Sequence, residues 1–167
     1  MTQSSTQLFG METVSDYLAL CGEAVNDLKG QQDSVLKGFS AILALNHLPD
    51  WLQYKLTEAE RQKLRLPTQS TNASVKDFFE AQNENLKLVR QIANGFKHLR
   101  PVHSTERVEG YGAGPYGIGP YGAPYLLIDL GGDKEPAERW LVGLDLCQCV
   151  LVWWQKLLSP IISKEGS

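Results

Sequence analysis

The sequence predicts a mainly α-helical protein, a bundle of four to five helices with a small β-hairpin between the last two long helices. Apolar residues recur at helical spacing in four long segments, which are bounded by capping residues, glycine or proline. Between the last two of these segments, the short apolar runs YLLIDL and RWLVGL flank a Gly-Gly turn signal, which is typical of a hairpin. The fold class rests on these two patterns.

Length and composition favour a single domain. A chain of 167 residues with 43% hydrophobic residues can bury one sizeable core. Residues 1–10 are polar and are predicted to be a flexible N-terminus, and residues 11–160 are predicted to form one helical domain. Residues 110–125, GYGAGPYGIGPYGAPY, are predicted to be a loop, with the hairpin at about 125–142. This loop could pack its tyrosines on the domain, or it could act as a lid or as a stacking platform for bases.

The first half of the domain is predicted to contain two long helices and one short helix. The first long helix falls within 11–30 and the second within 31–56, where Pro49 is expected to kink or restart it. Thr57 is followed three residues later by Glu60, the pattern of a capping box, and this predicts the short helix.

A third long helix is predicted to open at Ser74 and to end just before Pro101. The last helix, LDLCQCVLVWWQKLL, is apolar nearly all round and is therefore predicted to be buried, ending before Pro160. The third helix carries the residues of most functional interest.

Charge and targeting signals limit the classes of function. A net charge of −3 gives the whole molecule no general attraction for nucleic acid or anionic membranes, so any polyanion site must be local. The N-terminus lacks a secretory signal, which predicts a cytoplasmic location. The longest apolar stretch contains Asp145 and Gln148, which argues against a membrane partner.

The cysteines and histidines do not form a recognisable metal-binding pattern. Cys21, Cys147 and Cys149 include no CxxC pair, so they are interpreted as reduced, buried thiols. The sequence contains no phosphate-binding loop or zinc-protease motif either, and no metal or cofactor is predicted.

Residues 90–100, RQIANGFKHLR, are the first candidate site. On a helical wheel, the apolar residues of this segment share one face: Leu86, Val89, Ile92, Ala93, Phe96 and Leu99. Arg90, Asn94, Lys97 and His98 fall almost opposite that face, with Arg100 close by. This polar stripe is either an ordinary solvated surface or one wall of a groove.

A second polar group lies on the second helix. The apolar seam that begins at Val35 and Leu36 leads, when continued, to Asn46, His47 and Asp50, which are therefore expected to intrude into the core face. His47 and Asp50 can pair at i, i+3, either to lock helix packing or to serve a catalytic or ligand-binding role. The groove hypothesis requires this pair to meet Asn94, Lys97 and His98.

The segments NHLPDWL and ANGFKHL together resemble a group of uncharacterised bacterial proteins in which they usually read H-L-x-D-W and N-x-x-K-H. More distantly, a helical domain with an Arg…His pair on a late helix resembles the HEPN superfamily, whose active members are metal-independent ribonucleases that are commonly dimeric. Arg90 and His98 are further apart than the arginine and histidine of the HEPN motif. The resemblance therefore implies a fold more than an activity.

Two functions remain open. In the first, a HEPN-like protein of a toxin or defence system acts on or binds RNA or a nucleotide: His98 is the general acid/base, Lys97 and Arg90 stabilise phosphate charge, and Asn94 orients the reacting groups. His47, Asp50, Arg90 and Arg100 would support binding. In the second, the chain is a non-enzymatic interaction module, antitoxin-like or a phage accessory protein. Its polar residues then form a structural network, and its partner is another protein or a second copy of the chain.

Overall fold

A computed structural model describes residues 10–67, 71–98, 104–109, 114–115, 117–120, 122–131 and 136–162. The elements in chain order are α1 (Val14–Gly30), α2 (Val35–Lys55), α3 (Glu58–Lys63), α4 (Asn72–Glu80), α5 (Glu84–His98), β1 (Ser104–Val108), β2 (Tyr125–Asp129), α6 (Pro136–Arg139), β3 (Trp140–Val142) and α7 (Gly143–Ile162). The mainly α fold class with a small hairpin is confirmed. The tip of the N-terminus, residues 1–9, lies outside the described residues.

The predicted hairpin is present as β2 and β3, which pair antiparallel with Ile128 opposite Leu141. A strand that was not predicted, β1, pairs with the other edge of β2 and completes a three-stranded sheet in the order β1-β2-β3. A hydrogen bond joins the turn between α1 and α2 to this sheet: the Leu126 amide donates to the Gln32 carbonyl at 2.9 Å. Arg107 of β1 also pairs with Asp33 at 2.6 Å.

The prediction of a single helix from Ser74 onward is wrong. The structure divides it into α4, whose N-cap is Thr71, and α5, with a turn at residues 81–83 between them. The Asn83 side chain accepts a hydrogen bond from the Asn85 amide at 3.1 Å. Where the chain turns, it therefore competes with backbone carbonyls for this amide. Helical periodicity continues on both sides of the turn, which is why the apolar pattern did not reveal it.

The capping box predicted at Thr57 and Glu60 is confirmed, and α1 begins with a second one. The Asp16 carboxylate accepts hydrogen bonds from the backbone amides of Glu12 and Thr13, each at 2.9 Å. The backbone amide of Asp16 in turn donates to the Thr13 hydroxyl. The bonds from Glu12 and then Thr13 favour the charged carboxylate and lower the pKa of Asp16 below its usual 3.8.

Replacing Asp16 by alanine is expected to destabilise the protein near neutral pH and progressively less in acid. A carboxyl group whose pKa is lower in the folded state stabilises that state above its unfolded pKa, and this contribution is lost as the pH falls. Urea denaturation of wild type and Asp16→Ala at about pH 7 and about pH 3 measures the change. Glu23→Ala, at an exposed position of the same helix, is the control. A difference independent of pH would contradict the capping role.

The terminal helix α7 continues past Pro160, which the sequence predicted as its end. Proline has no amide to donate to the carbonyl four residues earlier, which belongs to Lys156. The Ser159 hydroxyl donates to that carbonyl instead, at 2.9 Å. The prediction of burial nearly all round is also wrong, because Asp145, Cys149 and Val152 are exposed on one side of the helix.

The described part of the glycine- and proline-rich loop folds over the ring of Tyr125. The Tyr125 hydroxyl donates to the Ile118 carbonyl at 2.7 Å, and a side chain at Gly114 or Gly119 would collide with the tyrosine. The packed-loop interpretation therefore holds for these residues. The tyrosines expected to stack on the domain, at 111, 116 and 121, lie outside the described residues.

Two of the three cysteines are buried as predicted. Burial raises the pKa of both the Cys21 and the Cys147 thiols to about 12, so neither is a ready nucleophile. The prediction is wrong for Cys149, which is exposed on α7.

Candidate functional site

Asp50 lies at the centre of a small ionic cluster that joins two helices. The predicted pair with His47 is confirmed, with His47 Nδ1 at 2.9 Å from Asp50 Oδ2. The same oxygen also lies 3.0 Å from the Nζ of Lys76, which reaches it from α4. Lys76, which the sequence interpretation did not single out, therefore shares the Asp50 carboxylate with His47. We call His47, Asp50 and Lys76 the Asp50 cluster.

This cluster lies beside the core and not within it. The buried face of α2 includes Gly38, Ala41, Ile42, Leu45, Leu48, Pro49 and Leu52. The predicted seam lies on a different face of the helix from the buried one, because Val35 and Leu36 are 62% and 73% exposed. The polar residues therefore do not interrupt the core face: the His47 side chain is 54% exposed and that of Asp50 is 23% exposed. The helix also continues through Pro49.

An aromatic pair adjoins the cluster. Tyr17 of α1 stacks on Trp51, with ring centroids 4.7 Å apart, and its hydroxyl donates to the Ala44 carbonyl at 3.2 Å. Burial, with smaller contributions from Cys21 and Asp50, raises the pKa of Tyr17 well above its usual value. Tyr17 is therefore a neutral packing partner at physiological pH.

Arg90, the cation assigned to phosphate, is held by two carboxylates of α4. Its Nη1 lies 2.9 Å from Asp77 Oδ1 and 3.0 Å from Glu80 Oε1. The hydrogen bonds to Asp77 and Glu80, in that order, raise the pKa of Arg90 above its usual value. A phosphate group would have to compete with both carboxylates for this guanidinium. We call Arg90, Asp77 and Glu80 the Arg90 cluster.

The turn between α4 and α5 is what allows this cluster to form. Arg90 and Asp77 are thirteen residues apart. In one continuous helix that separation would place them about 20 Å apart. The turn reverses the chain, so that the start of α5 lies against α4.

The space between the two clusters is almost completely filled. A cavity bounded by Asn46, Lys76, Glu80 and apolar residues of α2, α4 and α5 has a volume of about 10 Å³. That is room for about one water molecule, whereas pockets for small-molecule ligands measure roughly 300 to 1,000 Å³. Among the described residues, this cavity is therefore too small to hold a substrate.

The core face predicted for α5 is confirmed at Leu86, Val89, Ile92 and Ala93, which are all buried, and Asn94 is exposed. Lys97 and His98 belong to the helix, but their side chains lie outside the described residues, as does Arg100. Their convergence with His47 and Asp50 therefore stays a prediction.

No family model, curated protein or solved structure matches this chain. Inside the described ranges, no helix is both long enough and apolar enough to cross a bilayer.

Proposed function

We propose that this chain is a non-enzymatic helical interaction module, in which the polar residues of α2, α4 and α5 hold the helices together. One observation carries the proposal: the Asp50 and Arg90 clusters are satisfied within the protein, and the space between them admits about one water. An active site needs free groups around a space for the substrate. Among the described residues, the cavity between these clusters offers no such space.

The experiment compares catalysis with stability. Purified protein and the variants His47→Ala and His98→Ala are incubated with single-stranded and structured RNA in the presence of EDTA, and each unfolding free energy is measured in urea. The proposal expects no cleavage by the wild type above a no-protein control. Cleavage that the wild type performs and His98→Ala abolishes, with stability unchanged, would overturn it in favour of the HEPN-like ribonuclease.

The partner proposed for this module is a second copy of the chain, and it binds at the start of α2. Val35 and Leu36 are exposed there beside an apolar cleft that also contacts Glu106 and Arg107 of β1. An exposed apolar patch with a charged rim suits a two-fold interface, because the same surface of each copy can bury the apolar groups of the other. The patch consists of Val35, Leu36 and the cleft.

Leu36→Asp is expected to shift a dimer to monomer. A carboxylate placed in an apolar interface must be desolvated without a partner, which weakens association at least about tenfold. Sedimentation equilibrium over a hundredfold range of concentration measures the effect. Tyr54→Asp, at a comparably exposed aromatic position on the same helix, is the control. A wild type that is monomeric throughout, or a Leu36→Asp protein that dimerises equally well, would contradict this interface.

A further inference from the structure

A second, much larger recess is lined by a different set of residues. It runs between the turn that joins α4 to α5 and the exposed side of α7, and has a volume of about 530 Å³. That volume is within the range of small-molecule sites. Gln82 and Asn83 line it on the turn side, and Gln148, Cys149, Trp153 and Lys156 line it on α7. We call it the α7 groove.

The groove presents unused hydrogen-bonding groups. Gln82 donates its amide to the Phe78 carbonyl, and Asn83 accepts from the Asn85 amide. The side-chain oxygen of Gln82 and the side-chain NH₂ group of Asn83 therefore remain available to a ligand. Gln148 has no hydrogen bond or ion pair to any described residue. Carboxamides offer a donor and an acceptor side by side, the arrangement that pairs with the edge of a nucleobase.

Trp153 provides an aromatic wall. It is partly exposed, and its ring packs at steep angles against Trp154 and Phe79, with centroids 4.7 Å and 6.1 Å away. Because these two rings are buried completely, the indole is held by the core while part of it borders the groove. A fixed aromatic surface of this kind can stack a planar base.

One cation borders the groove, and no carboxylate does among the described residues. The Lys156 ammonium has no ion pair to any described residue. Asp145 and Glu84, the nearest acids along α7 and α5, do not line the groove. An anionic group would therefore meet a positive charge, and no carboxylate is among the described residues that line the groove, although the protein as a whole is acidic.

We propose that the α7 groove binds a nucleoside monophosphate. In this arrangement the base stacks on Trp153, the carboxamides of Asn83 and Gln148 contact its edge, and Lys156 pairs with the phosphate. The groove is open to solvent and supplies one cation, so the affinity is modest, in the micromolar to millimolar range. The site is separate from the α2 patch and from the two ionic clusters, so it does not depend on the function proposed above.

Adenosine 5′-monophosphate is the test probe, and two signals report on it. Binding is expected to change tryptophan fluorescence saturably and to slow the reaction of Cys149 with Ellman's reagent. Cys149 is a selective reporter because Cys21 and Cys147 are buried. Lys156→Gln is expected to weaken binding at least about fivefold, and Gln148→Leu is expected to weaken it also. Lys29→Gln, at an exposed lysine on α1, should bind as the wild type does.

Ligand fragments separate the two parts of the proposal. Adenosine should bind more weakly because it lacks the phosphate, and ribose 5-phosphate more weakly because it lacks the base. Circular dichroism confirms that each variant is folded. No saturation up to about 10 mM probe, which lies beyond a millimolar dissociation constant, would overturn the proposal. Equal affinity in wild type and Lys156→Gln, or equal binding of ribose 5-phosphate and the nucleotide, would do so too.

Discussion

Phe79→Ala is expected to cost about 3 to 5 kcal/mol of unfolding free energy, the usual loss when a buried phenylalanine is truncated. Phe79 is completely buried, and its ring lies edge-on to Trp154 at 4.8 Å and to Trp153 at 6.1 Å. It joins α4 to α7 and also lines the small cavity between the Asp50 and Arg90 clusters. Its removal therefore leaves a cavity among large rings that cannot easily collapse.

Urea denaturation measures this loss, and the neighbouring residue gives a matched control. Phe78 is only partly buried, so Phe78→Ala removes the same atoms from a less enclosed position and should cost clearly less. Equal losses at the two positions would contradict the packing described for α4. A large loss confined to Phe79 would agree with it.

Gly119→Ala is expected to destabilise the protein by about 2 to 3 kcal/mol, through two causes that add. Gly119 has a φ of +81°, where L side chains are strained. The Cβ of an alanine at this position would also overlap the Tyr125 ring. This ring cannot move freely, because its hydroxyl donates a hydrogen bond to the Ile118 carbonyl. The loop would have to lift from the sheet to relieve the overlap.

A second glycine in the same loop separates these causes. Gly122 has a φ of +77°, but nothing lies within 4 Å of where its Cβ would be. Gly122→Ala therefore carries the backbone strain alone and should cost about 1 kcal/mol. Thermal or urea unfolding of both variants measures the difference. Equal destabilisation would show that contact with Tyr125 contributes nothing to holding the loop.

Strong local periodicity predicted much of the helical fold. The core face of α5 and the capping box at Thr57 and Glu60 need only neighbouring residues, and both were found from spacing. The break between α4 and α5 could not be found in this way, because the pattern resumes with the same period beyond Asn83. The buried face of α2 was predicted wrongly because Val35 and Leu36 are apolar but exposed. The apolar pattern does not distinguish a surface patch from a core.

The candidate site was predicted only in part, for a physical reason. The pair of His47 and Asp50 is local to one helix turn and was predicted correctly. Lys76 and the carboxylates that hold Arg90 come from α4, and they meet their partners only through tertiary packing and the turn at residues 81–83. The α7 groove depends on the exposed side of a helix whose apolar composition predicted complete burial. Contacts between elements carry no signal in one sequence.

A double-mutant cycle between Asp50 and Lys76 measures whether the polar residues join α2 to α4. The unfolding free energies of wild type, Asp50→Ala, Lys76→Ala and the double variant are measured in urea. With both side chains about four-fifths buried, a favourable coupling of about 0.5 to 2 kcal/mol is expected between α2 and α4. A coupling of zero within error, with both single variants as stable as the wild type, would contradict the structural role and leave these charges free for another one.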